Sequence, residues 1–173
     1  MSETSATDVL QDGFDRVRQA VERVLDGLTE EQLTHRAGGS ANSIAWLVWH
    51  LTRVQDDHVA DLAGTAQVWT GEGWAERFAL PLPAEDTGYG HDSGQVAAVA
   101  ATAEELLGYH RAVHERTRAY LSGVPNADLA DVVDEAWDPP VTRVVRLVSV
   151  IEDDLQHAGQ AAFARGLLPR GRV

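Results

Sequence analysis

Cysteine is absent from the 173-residue chain, and so is lysine, since all 14 basic side chains are arginine. Without cysteine there is no disulfide scaffold, iron–sulfur cluster, thiolate zinc site or cysteine nucleophile, so any thiol chemistry needs a thiol brought in from outside. Without lysine there is no Schiff base and no phosphate loop of the Walker type. Basic charge is scarce altogether. The 14 arginines against 27 acidic residues leave a net charge of −13, a field that repels nucleic-acid backbones and anionic lipid surfaces. No apolar run approaches the roughly 18 residues of a spanning helix. The N-terminal MSETSATDVL has neither a basic nor an apolar leader region, which makes the cytoplasm the expected compartment. There is also no glycine-rich phosphate loop, no Gly-x-Ser-x-Gly nucleophile elbow and no strand-like alternation.

What is present suits one globular domain: 44% of residues are hydrophobic and 24% charged, and residues 1–173 read as a single unit. From Thr7 to about Leu28, apolar residues including Leu10, Phe14, Val17, Val21 and Val24 recur at three- and four-residue steps, the spacing of one helix face. A second helix is predicted from about Ser43 to Ala63, capped by Asn42 or Ser43, with its stripe through Ile44, Leu47, Leu51, Val54, His58 and Leu62. A third runs from a Ser93 cap to about Ser122. A fourth runs from about Val141 to Arg165, with Val144, Leu147, Val148, Ile151, Leu155 and Ala158 on one stripe and Gly166 suited to its C-cap.

Between the second and third helices, Thr65 to Asp92 is rich in glycine and proline yet also carries Val68, Trp69, Trp74, Phe78, Leu80 and Tyr89. That much apolar area predicts an ordered loop packed over one end of the bundle rather than a disordered linker. Val124 to Pro140 reads as a second ordered connection. The fold class expected is all-α, a four-helix bundle with a long ordered loop between helices two and three.

Seven histidines in a cysteine-free acidic chain direct attention to histidine and carboxylate metal ligation. His50 sits early in helix two, in Trp46-Leu47-Val48-Trp49-His50-Leu51. In helix four, Asp153 and His157 stand four residues apart and project from neighbouring turns of one face, with Asp154 an alternative partner at three residues. On a helical wheel His50 lies on the flank of its stripe, outside the core, and Asp154 faces its stripe more closely than Asp153, so periodicity alone favours Asp154. An exposed hydrogen-bonded pair is the competing reading of this spacing.

The other histidines invite simpler readings. His58 lies about 12 Å along the axis from His50, too far to share an ion, and its place on the stripe suggests a packed core histidine. His110 and His114 fall in the middle of the third stripe and read as structural. Asp57, on the face of His50, is a candidate orienting or general-base residue. His91, in Gly88-Tyr89-Gly90-His91, is a candidate for a pocket mouth.

The segments Trp46-Leu47-Val48-Trp49-His50-Leu51 and Asp153-Asp154-Leu155-Gln156-His157-Ala158-Gly159-Gln160 resemble those of the DinB-like metal-binding four-helix family, and the likeness spans nearly the whole chain. The resemblance implies a divalent metal, zinc or nickel, held by His50, Asp153 and His157. Aspartate at position 153, where many members have histidine, is similar to the mycothiol-dependent maleylpyruvate isomerase and thiol S-transferase branch. The activity it implies is transfer of a low-molecular-weight thiol such as mycothiol to a small electrophile, or isomerisation of that electrophile. Arg53 and Arg146 are candidates to bind a substrate carboxylate. A metal-dependent hydrolase using water, and a non-enzymatic bundle that binds a ligand or dimerises through apolar surface, are the alternatives. The partners expected are a small thiol and an electrophile, with no nucleic acid or membrane and a homodimer allowed.

Overall fold

The computed structural model describes residues 4–168, among which four long helices form the bundle: α1 (Ala6–Leu25), α3 (Ile44–Ala63), α7 (Ala103–Gly123) and α8 (Arg143–Gly166). Short helices occupy the connections, with α2 at Glu30–Thr34, α4 at Val68–Gly71, α5 at Trp74–Phe78 and α6 at Ser93–Ala98. A two-stranded antiparallel ladder, β1 (Val132–Asp134) and β2 (Val141–Thr142), leads into α8. Among the described residues no helix is long and apolar enough to cross a membrane.

Local chemistry explains the starts. Ser5 and Asp8 close a reciprocal capping box on α1, and the Ser43 side chain accepts from the Trp46 amide at the head of α3. The predicted third helix is in fact two. Asp92 with Gln95 caps α6, Val99 turns extended, and Thr102 with Glu105 opens α7 with a second capping box. Two start signals ten residues apart outweigh a continuous apolar period. The ladder in the second connection, and the position of Gly166 as the last residue of α8 rather than its cap, also depart from expectation.

The helices α1 and α3 stand on one diagonal of the bundle and α7 and α8 on the other, each packing on both members of the opposite pair. Cross-contacts fix the directions. Gly13 of α1 meets Ile151 of α8, and Arg165 bonds the carbonyls of Arg23 and Val24, so these two helices are parallel. Thr52 and Gln55 of α3 reach His110 and Thr117 of α7 in the same order, so that pair is parallel too. Parallel neighbours about 30 Å long require a return segment. Residues 64–102 supply it, and they lie against the outer side of α3. The Ile151 side chain of α8 packs on the α1 backbone at Gly13, where an added Cβ would stand 2.8 Å from it.

This cover explains why helical periodicity misplaces several residues. Every residue of α3 from Ile44 to Arg53 is buried, so His50, on the flank of its stripe, is only 7% exposed. On α8 the buried row is Leu147, Val150, Asp154, Ala158 and Ala161, whereas Val148 (51% exposed) and Leu155 (42%) of the predicted stripe face outward. Outward-facing Val145 and Phe163 add to an apolar outer side that pulls the averaged stripe away from the true contact row.

His110 and His114 are buried among core side chains. The Thr52 hydroxyl donates to the Val48 carbonyl and therefore accepts from His110 Nδ1 at 3.1 Å, which fixes a neutral tautomer. Complete burial, with the neighbouring His114 and Arg18 adding to it, lowers the His110 pKa to about 3. Its unfolded value is near 6.5. The folded protein therefore resists a proton that the unfolded chain accepts, and this contribution is complete above pH 6.5 and lost as pH falls towards 3. Denaturant titration at pH 7 and pH 5 is expected to show about 2 kcal/mol less stability at pH 5 from this group, with a flatter slope in His110→Gln. An unchanged slope in that variant would contradict the assignment.

Candidate metal centre

The antiparallel packing of α3 on α8 sets His50 opposite Asp153 and His157. One ligand atom from each of these three lies within 4.8 Å of the others. The donor set fits a divalent ion. His50 Nδ1 donates to the Thr87 carbonyl at 2.5 Å, and His157 Nδ1 donates to the Gln160 side-chain oxygen at 3.3 Å, so in the neutral form of each ring Nε2 is the nitrogen able to ligate. Burial keeps the His50 pKa below its ordinary value, and the nearby His157 and His91 act in the same direction. Asp153 Oδ1 stands 3.7 Å from His157 Nε2, and its Oδ2 is buried without a hydrogen-bond partner. Two neutral imidazoles and one carboxylate are ordinary ligands for zinc or nickel.

Asp154, which periodicity favours, points the other way. It is fully buried on the contact row, both of its oxygens lack partners, and burial holds its carboxyl well above the usual range. The wheel correctly identifies the carboxylate that faces the core, but the candidate donor cluster lies beside the core.

The return segment shapes the rest of the centre. Gly88 has φ +94°, and a Cβ there would stand 2.6 Å from His50 Nδ1 and 3.0 Å from the Trp49 ring. Glycine is thus required for both backbone conformation and space. Trp46 stacks on His50 with centroids 4.6 Å apart and meets His157 edge-on at 6.2 Å. Its indole N–H donates to His91 Nδ1 at 3.0 Å, and His91 Nε2 donates to Asp86 at 2.9 Å. His91 is therefore a sealed support, with its side chain 2% exposed, and not the pocket mouth. The adjacent Tyr89 takes the rim. The signal for this support was the Gly88-Tyr89-Gly90-His91 cluster, but what it folds against is not visible in a local pattern.

Arg53 does not face the cleft. It is completely buried, with Nε donating to the Asp86 carbonyl at 3.1 Å, Nη1 to Gln67 at 2.7 Å and to Tyr109 at 3.3 Å, and Asp56 at 3.6 Å as its ion-pair partner. It braces the return segment rather than touching a substrate, which corrects its reading as a substrate-binding residue. Gln67 in turn donates to Asp57 at 2.6 Å, and Asp57 lines the cavity beside the centre together with His50, His58, Thr87, Tyr89 and Asp153. His58 is half-buried in that wall, not packed in the core. Arg146 lies further along, its guanidinium held by Asp61 at 2.9 Å and Asp134 at 3.4 Å. With both partners acidic it offers no spare charge for a substrate carboxylate.

A bundle with parallel neighbouring pairs, a return segment over α3 and a candidate His-Asp-His centre between α3 and α8 defines a DinB-like protein. A family model described as mycothiol-S-transferase matches residues 9–169, and the chain belongs to that family. Among solved structures, it is similar to a conserved protein from Enterococcus faecalis, with 34% identity, a TM-score of 0.88, and coverage of 94% of this chain and 96% of that one. None of the curated proteins matches the chain.

Proposed function

We propose that this protein is a divalent-metal-dependent enzyme that transfers a low-molecular-weight thiol, mycothiol by family, to a small electrophile, or isomerises the electrophile through such an adduct. The observation that carries the reading is a ready donor set, His50, Asp153 and His157, beside an open cavity in a chain with no cysteine and no lysine of its own. A zinc or nickel ion held there supplies about one net positive charge, which favours the ionised form of an incoming thiol.

The chain's own residues do the remaining work. Thr87 and Gln160 orient the rings through Nδ1, and Trp46 and Gly88 fix the plane of His50. Asp57 is held through one oxygen by Gln67 and stands in the cavity wall, placed to take the thiol proton as the thiol binds and pass it to solvent before the carbon–sulfur bond forms. The electron pair that the electrophile gives up leaves with its leaving group or moves onto an adjacent carbonyl. The setting proposed is cytoplasmic, with no nucleic-acid or membrane partner.

Calorimetry of thiol binding, in buffers of different ionisation enthalpy, tests this. Mycothiol and dithiothreitol are expected to bind only metal-loaded protein and to release one proton each. Equal binding to metal-loaded and chelator-treated protein would overturn the thiol reading. Turnover of an ester or amide without added thiol would replace it with hydrolysis.

A further inference from the structure

A recess of about 470 Å³ opens between α8 and residues 37–47, walled by Ala37, Ala41 and Leu47 on one side and by Gly159, Phe163 and Ala164 on the other. It contains none of the three metal donors and enters no step of the proposed chemistry. Along its α8 edge, and one turn beyond it, runs a row of residues four apart: Leu155, Gly159, Phe163 and Leu167. The three apolar side chains of the row are exposed, Phe163 by 70%, and nothing lies within 4 Å of where a Cβ on Gly159 would stand. We propose that this row is the contact through which two copies of the chain pair about a twofold axis, each Phe163 ring entering the other's recess over Gly159.

Three observations favour a second copy as the occupant. First, the row is complementary to its own reverse. Rows of residues four apart are the ridges by which helices most often pack. Turned about its midpoint, this one sets Leu155 against the partner's Leu167 and Gly159 against the partner's Phe163. Leucine meets leucine at the ends and the ring meets the gap beside the axis, so one surface supplies both halves of an isologous contact.

Second, the face lacks the charge that keeps copies apart elsewhere. The recess is built from the stretches 32–55 and 155–168, and neither contains an acidic residue although the chain has 27. A net charge of −13 makes two copies repel over most of their surface. Of the arginines in these stretches, Arg53 is buried, Arg36 donates to the Ser40, Ala41 and Ser93 carbonyls, and Arg165 donates to those of Arg23 and Val24. The face is therefore close to neutral and apolar.

Third, its size suits a reversible pair. Twelve residue steps make the row about 18 Å long. With the recess beside it, the contact falls near the lower bound of specific interfaces, about 1,200 Å² in all, which implies a dissociation constant on the order of 10 μM. Gln160, which orients His157, lines the same recess, so the contact and the candidate metal centre share a wall.

Sedimentation velocity of the full chain from 1 to 500 μM tests this, with and without chelator, because the pairing depends on neither metal nor thiol. A monomer–dimer equilibrium is expected in both. It should tighten several-fold between 50 mM and 500 mM salt, as the repulsion between the acidic surfaces is screened. Phe163→Glu should be monomeric at every concentration. Gly159→Leu, which fills the gap in open space and favours helix, should keep its circular dichroism and weaken pairing at least tenfold. Val9→Ser, an exposed apolar position on α1 outside the row, should pair as the parent does. A chain that stays monomeric to 500 μM would overturn the pair and leave the row to another occupant. Undiminished pairing in Phe163→Glu or in Gly159→Leu, or weakening with salt, would place the contact elsewhere and overturn it equally.

Discussion

Alanine at position 56 is expected to cost about 3–5 kcal/mol of stability, the largest single-residue loss outside the apolar core. The buried Asp56 carboxylate accepts the Val68 and Trp69 amides and the Tyr109 hydroxyl, each at 2.8 Å, and stands 3.6 Å from the sealed Arg53 guanidinium. Removing it leaves a buried cation uncompensated and two amides at the head of α4 without acceptors. Because Arg53 also holds the Asp86 carbonyl, the damage reaches the segment that clamps His50 through Thr87. Urea denaturation of Asp56→Ala and Asp56→Asn measures this, and asparagine should retain part of the loss because one acceptor oxygen remains. A change below about 1 kcal/mol in Asp56→Ala would mean that the return segment is held by its apolar residues alone.

Alanine at His50 or at His157 is expected to lower metal affinity by more than about 100-fold, since each removes a ligand where even supporting residues are commonly worth 10–100-fold. The fold should persist, because the donors lie beside the bundle core and His157 is only half-buried. Asp153→Asn should lose affinity in the same way. Asp154→Asn should keep its metal, because that carboxyl points into the core with neither oxygen partnered. Elemental analysis and competition with a chromophoric chelator give the affinities, and circular dichroism reports the fold. Full metal content in both histidine variants would remove this centre, and loss confined to Asp154→Asn would move it.

The bundle could be read from the chain because its signals are local. Ser5, Ser43 and their following turns announce helix starts, and apolar residues at three- and four-residue steps mark the faces of α1 and α7. Thr102 and Glu105 were an equally local signal for the break before α7, masked by the apolar residues on either side. The residues of the candidate centre were a different matter. A wheel assumes one buried side and one wet side, and α3 has no wet side along its first half, because the return segment covers it. Family likeness, and not periodicity, favours Asp153 over Asp154. Arg53 and Arg146 looked available because nothing in the sequence shows that Asp56, Asp61 and Asp134 fold against them.

The parallel course of α3 and α7 bears on assembly. His50 and the α8 donors are about a hundred residues apart along the chain, so an unfolded or half-assembled protein holds no more than part of the donor set. Closure of that gap needs the return segment in place and α8, the last helix, docked against α3. An ion bound by the complete set would report the finished topology, and its free concentration would then add to the stability of the whole bundle by mass action.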